Sequence, residues 1–270
     1  MIGVIGDRHE NISRAIKMIL PPNNIQTSSF LRVSRAGLSI AVHFNNQWHI
    51  VRISAGLFEN FNARTTAGRT VGVDIFRFYN LLAPHMRGNS RFTIIVDNEG
   101  STSDRIWVWY QAGRMYTTRS IETVGIPNGA DQRINNVLEL EATDHRYINF
   151  SSSRVLHRFF KRCYREMQLQ PQLRAGPSDE LRLRVTHQEI RAEALGLVQT
   201  YSSLAGHYNM HDTARDVDVV GDDEEIIVQF PQATGWFMRP ARRAESIRVH
   251  LGLVRPLLEF RFANCSVYFI

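Results

Sequence analysis

Lysine is nearly missing from this 270-residue chain: Lys17 and Lys161 are the only two, and every other formal positive side chain is arginine. Cysteine is as scarce. Cys163 and Cys265 cannot build a disulfide framework or a cysteine zinc site, and they read as two buried, reduced thiols of an intracellular protein. No apolar run approaches the roughly 18 to 20 residues that span a bilayer. The opening MIGVIGDRHE has neither the basic flank nor the long apolar stretch of a signal peptide, so no membrane partner is expected. Catalytic signatures are missing too: there is no P-loop, GxSxG, HExxH or CxxC. The segment GVIG has only two of the glycines that a dinucleotide fingerprint needs. His207 and His211 have the spacing of a helical metal pair beside Asp212, but their surroundings lack helical periodicity. Asp216, Asp218, Asp222, Asp223, Glu224 and Glu225 spread along a polar loop, where carboxylates seldom converge on one cation. No metal, cofactor or catalytic residue is assigned, and the chain reads as non-enzymatic.

What is present is a core and a charge. The hydrophobic share of 43% supports one large domain or two ordinary ones. A net charge of +6 points to a polyanionic partner, most simply nucleic acid. Arginine suits phosphate because its planar fork donates two parallel hydrogen bonds. Arginine-favouring codon usage would give the same count, so the positions of the arginines decide between the two.

The clearest pattern runs from Phe30 to Pro84. Leu31, Val33, Leu38, Ile40, Val42 and Phe44 alternate with polar or small residues, as half-buried strands do. Ala36-Gly37 supplies a hairpin turn that tolerates positive φ, and Trp48 to Ile53 is a further strand beyond Asn45-Asn46. The period then changes. Asp74 can cap a helix on which Ile75, Phe78, Tyr79 and Leu82 recur, with Pro84 near its end. Before this meander, residues 1–5 read as a strand, and Ile12, Ala15, Ile16, Ile19 and Leu20 as a helix stripe. After it come strands at 91–97, 105–111 and 115–123.

Residues 124–136 lose all periodicity and carry Pro, Gly and Asn, which predicts a connecting loop between a domain at 1–123 and another at 137–270. The second half repeats the order of the first. A strand at 137–141 precedes a helix that Ser151 to Ser153 can cap, with Leu156, Phe159, Phe160, Cys163 and Met167 as its apolar stripe. Strands follow at 181–185 and 193–201, then a polar connection from His207 to Glu225. A strand at 225–230, a short helix within 232–243 and closing strands at 247–251, 257–262 and 267–270 complete it. The expected fold class is α+β, with two similar domains of antiparallel sheet and two helices each.

Basic residues collect on those helices and their ends. They are Arg8, Arg14 and Lys17; Arg77 and Arg87; Arg154, Arg158, Lys161, Arg162 and Arg165; and Arg239, Arg242 and Arg243. On the third helix, steps of three and four residues keep the five cations opposite the apolar stripe. Helices lining one side of the sheets would add these groups into one positive surface.

Several stretches resemble the DNA sliding clamp family. RVSRAGLSIAV is similar to a hairpin of the clamp's first domain, and VGVDIFRFYNLLAPH to the strand that runs into its second helix. VGIPNGAD resembles the loop joining the two clamp domains, and SIRVHLGLVRPLLEFRFANCSVYFI resembles the closing strands. The resemblance implies two domains with outer sheets and inner helices, and a trimeric ring around double-stranded DNA. It also implies a separate clamp loader, a nuclear setting, and repair or replication proteins docking near Val124, Ile126 and Pro127. AGLFENFN and RMYTTRSIETVGIP look most like a tail-less subunit of the heterotrimeric DNA-damage checkpoint clamp. Two features differ from replication clamps: the sequence ends at Ile270 without the short tail beside the partner groove, and the net charge is positive. They leave a viral-type DNA polymerase processivity factor, or a monomeric basic nucleic-acid-binding module, as alternatives.

Overall fold

In the computed structural model, the described residues are 2–4, 15–21, 27–44, 47–62, 69–82, 91–96, 105–112, 114–124, 132, 147–169, 180–186, 188–211, 225–230, 234–251, 257–263 and 265–270. By their contacts they fall into two units. One comprises residues 1–139 with 264–267, the other 140–263 with 268–270.

The first unit begins with β1 (Ile2–Val4), and residues 15–19 are helical (α1), with Ala15, Ile16, Met18 and Ile19 buried. The alternating segment becomes β2 (Ser28–Ser34), β3 (Gly37–Phe44) and β4 (Gln47–Ser54), each antiparallel to the next. Gly37 is required at the first turn. Its φ is +142°, and a Cβ there would lie 2.0 Å from the Ile53 carbonyl oxygen. β5 (Asn60–Phe61) and β6 (Arg69–Val73) follow, and β6 pairs with β2. Arg32, buried within β2, donates to Thr70 Oγ1 at 3.2 Å in that pair.

Helix α2 (Ile75–Leu82) starts where Asp74 Oδ1 accepts from the backbone N–H groups of Phe76 and Arg77, both at 3.0 Å. The Ser29 hydroxyl donates to the Val73 carbonyl and accepts from Ile75 N–H at 3.1 Å, which staples β2 to the helix start. β7 (Arg91–Val96), β8 (Arg105–Ala112) and β9 (Met115–Val124) complete the unit. Its strand order is β4-β3-β2-β6-β9-β8-β7-β1-β5, antiparallel throughout. Tyr110 of β8 donates its hydroxyl to the Leu81 carbonyl, holding α2 against the sheet; burial pushes that phenol up to about 12.

Val124 is the last residue of β9, opposite Gly72, so the expected connecting loop begins no earlier than residue 125. The rest of that loop, apart from Gln132, and the strand expected at 137–141 lie outside the described residues.

Among the described residues the second unit repeats the element order: one strand, a helix, five strands, a helix and three closing strands. β10 (Tyr147–Phe150) precedes α3 (Ser153–Leu169) and was not anticipated. Ser152 Oγ accepts from Arg154 N–H at 3.3 Å, and the Ser153 hydroxyl donates to the Ala244 carbonyl. β11 (Leu181–Val185) is followed by β12 (Glu189–Ala194) and β13 (Leu197–Ser202), where one strand was expected. A two-residue turn divides them, with Leu195 at φ 53° and Gly196 at φ 74°.

β14 (Tyr208–His211) corrects the reading of 207–225 as a continuous loop, while 212–224 lie outside the described residues. β15 (Ile226–Phe230), α4 (Thr234–Ala241), β16 (Ser246–His250), β17 (Leu257–Phe262) and β18 (Cys265–Phe269) follow. Two antiparallel arrays result, β14-β10-β16-β17 and β13-β12-β11-β15. Phe237 of α4 is the centre of this core, with ring centroids 5.4 Å from Phe160, 5.2 Å from Phe269 and 6.1 Å from Phe230. Cys163 is buried in α3, but Cys265 is only half-buried; neither is in a disulfide.

Candidate nucleic-acid interface

Helix α3 sorts its side chains by character. Leu156, Phe159, Phe160 and Cys163 are buried, while Arg154, Arg158, Lys161, Arg162 and Arg165 are all exposed. Met167, read as part of the apolar stripe, is half-buried near the helix end. The aromatic stripe drives this arrangement, since each phenylalanine gains about 1.5–3 kcal/mol on burial and leaves the opposite face to the cations. The only carboxylate among α3's residues is Glu166, which is half-buried.

Helix α4 packs on α3 through Phe237 and Phe160. Arg239, Arg242 and Arg243 are exposed, the last two in the turn that closes α4 around Pro240. There Arg242 N–H donates to the Met238 carbonyl at 3.1 Å, and Arg243 N–H to the Pro240 carbonyl at 3.0 Å. His157 links the two groups. Its imidazole is held below the ordinary value by burial first, then by the positive charges of Lys161 and Arg242. A cation on α3 and one beyond α4 therefore act on the same ring.

In the first unit, Lys17 is exposed on α1. Arg77 is exposed on α2, but its Nε lies 3.5 Å from Asp74 Oδ2, so part of its charge is spent on the capping carboxylate. Arg14, Arg87, Ile126 and Pro127 lie outside the described residues. Val124 is 58% exposed at the end of β9. His207 Nδ1 accepts from Ser202 N–H at 3.2 Å, while the His211 side chain and Asp212 lie outside the described residues. Glu225, the one described member of the acidic run, lies 3.5 Å from Arg184.

A second basic feature escaped the sequence. A cleft of about 460 Å³ is lined by Arg77, Asn80 and Leu81 of α2, Arg105 of β8, and residues 119–122 of β9. Arg105 is engaged with Glu122 Oε1 at 2.9 Å, whereas Arg119 is exposed and forms no ion pair among the described residues. The cleft runs beside a strand edge that is open among the described residues: there β9 meets β6 only at Thr123 and Val124, and residues 115–122 pair with β8 alone. β13 likewise ends its array with one neighbour, β12.

No family model and no curated protein matches this sequence. Among solved structures, the chain is similar to the crystal structure of Proliferating Cellular Nuclear Antigen from Entamoeba histolytica. The TM-score is 0.58 at 13% sequence identity, over 99% of this chain and 96% of that one. The chain has the sliding-clamp fold.

Within that fold, Arg154, Arg158, Lys161, Arg162 and Arg165 are exposed on α3, and Arg239, Arg242 and Arg243 are exposed on α4 and in the turn after it. Arg105 and Arg119 were missed because they sit on strands, where alternation reports burial but not whether an edge is paired. The one available signal was MYTTRSIETV itself: a ten-residue strand with no apolar face of its own.

Proposed function

We propose that this chain is one subunit of a ring-shaped sliding clamp that encircles duplex DNA and presents docking surfaces to other proteins. The observation that carries the reading is the set of exposed cations on α3 and around the end of α4, on a sliding-clamp fold. Its arginines stand at several heights along a helix and over the turn after a second one. That arrangement neutralises phosphates without aligning any side chain to a base edge. Retention on DNA then comes from topology, and the cations only cancel repulsion and permit sliding.

Ring closure in this reading uses the unpaired edges of β9 and β13, each extended by a strand of a neighbouring subunit. The closest functional type is a subunit of the heterotrimeric checkpoint clamp, acting in the nucleus. Loading falls to a separate ATP-driven loader, because the sequence has no nucleotide motif of its own. Repair or replication proteins dock near Val124, Ile126 and Pro127. The chain is a scaffold and not an enzyme.

Replacing Arg158, Arg162 and Arg165 with alanine tests those cations. Stability should change by no more than about 0.5 kcal/mol, because the three side chains are exposed. Duplex affinity should fall equally for unrelated sequences, and the slope of log affinity against log salt should become shallower by about 0.9 per lost phosphate contact. Unchanged affinity and slope would remove α3 from the DNA interface. Relaxed preference at particular base pairs would instead mark a base-reading protein.

A further inference from the structure

The solvent face of β8 and β9 leaves a row of aromatic rings open. Ile106, Val108 and Tyr110 of β8 are buried, and the Tyr110 hydroxyl bonds to α2. Side chains alternate along a strand, so Trp107 and Trp109 stand on the face turned away from that helix. Trp109 is 48% exposed, and its partners in the register, Thr93 of β7 and Thr118 of β9, are too short to cover an indole. Tyr116, 73% exposed, lies diagonal to Trp109 on the same face, where Gln111 Nε2 donates to its hydroxyl at 3.0 Å. Scattered exposed apolar side chains need no explanation, but three aromatics in one row do.

Spacing and charge identify the occupant. Trp107 and Trp109 are two residues apart on an antiparallel strand, which sets their Cα atoms about 6.8 Å apart. That is about twice the 3.4 Å rise per nucleotide of a stacked strand. Successive bases can rest on successive rings only when they are pulled apart from one another and from any complement. A duplex, whose bases are paired and stacked inward, cannot use such a row. A protein partner would need a continuous apolar patch, whereas Thr118, Ser120 and Gln111 separate these rings. Arg114 is exposed in the turn joining β8 to β9, with no ion pair among the described residues, and Arg91 takes the register position opposite Gln111. Two arginine positions therefore flank the Tyr116 end, and the net charge of +6 favours a polyanion.

We infer that this face is a stacking platform for single-stranded DNA, with bases on Trp107, Trp109 and Tyr116 and phosphates toward Arg114. It reads no sequence, because every base offers a flat face. It goes beyond the ring reading and needs neither encirclement nor the α3 cations.

The test uses the full chain with Arg158, Arg162 and Arg165 already replaced by alanine, so that those cations do not mask the platform. Affinity for a fluorescent ten-nucleotide oligothymidylate should fall about tenfold on Trp109→Ala or Tyr116→Ala, and little on Trp109→Phe. An abasic strand of the same length should bind weakly and equally to all of them. Affinity for a duplex of matched length should not change on Trp109→Ala. Irradiation of a strand carrying 5-iododeoxyuridine should crosslink residues 107–116. Abasic binding equal to that of oligothymidylate, an unaffected Trp109→Ala, or crosslinks confined to other elements would overturn the inference. Tighter binding of oligouridylate would overturn its assignment to DNA. Circular dichroism checks folding; if Trp109→Ala unfolds, Thr118→Glu supplies the same comparison by placing negative charge beside the indole at an exposed position. The duplex salt slope of the α3 variant tests the clamp reading separately, so either can fail alone.

Discussion

His157 is where the charge of the helix cations can be read at a single residue. Burial and the charges of Lys161 and Arg242 hold its imidazole below the usual histidine range. A phosphate bound among those cations offsets them and stabilises the imidazolium. Titration of the His157 ring by NMR should therefore give a value below 6.5 in the free chain and a higher one on duplex DNA. An unchanged value would place the phosphates away from α3 and α4. His49 is a different case. It is fully buried in β4, and burial lowers its imidazole from 6.5 to about 3. Between those values the unfolded chain binds a proton that the folded chain refuses. Its contribution is full above pH 6.5 and is lost as pH falls, by roughly 1 kcal/mol per pH unit. Denaturant melts from pH 6.5 to 4 should show a shallower decline for His49→Phe than for the parent; parallel declines would contradict this. Arg77 shows the limit of sequence reading at this scale. Its charge was legible, but its engagement with Asp74 depends on the cap that the same sequence predicted separately.

The elements that were legible are those whose pattern and packing agree. Helix α3 was readable because Leu156, Phe159, Phe160 and Cys163 share one stripe and the cations the other. The meander of β2, β3 and β4 was readable because Gly37 has no substitute at its turn. Gly37→Ala should cost about 1–3 kcal/mol, since alanine is strained at φ +142° and its Cβ meets the Ile53 carbonyl oxygen. Chemical denaturation with an unchanged slope would measure it, and a loss under about 0.5 kcal/mol would show that the hairpin relaxes. The elements misread lack such punctuation. β12 and β13 read as one strand because Leu195, which adopts φ 53°, is not a residue that announces a turn. β10 is only four residues, and its Ile148 and Phe150 alternate too briefly to stand out from the polar stretch before it. Val124 ends β9 through its pairing with Gly72, a long-range contact that local composition does not report.

At the scale of the whole molecule, the periodicities showed a repeat of strand, helix, strands, helix and three strands. The five strands between the helices of each unit came only from the structure, since β5 and β14 were not anticipated and β12 and β13 read as one. The open edges were not visible, because an edge is defined by a strand that is missing from its side, here among the described residues. The reading as a clamp joins two observations: exposed cations on α3 and around the end of α4, and strand edges that no described strand pairs. Its central claim is that retention is topological. The direct measurement is the lifetime of the chain, assembled with its ring partners and loader, on nicked circular DNA at a salt concentration that abolishes direct duplex binding, before and after the circle is cut. The account predicts long retention on the closed circle and rapid loss from the linear form by sliding off its ends. Equal lifetimes on both would contradict it and leave a protein that binds DNA by surface contact alone.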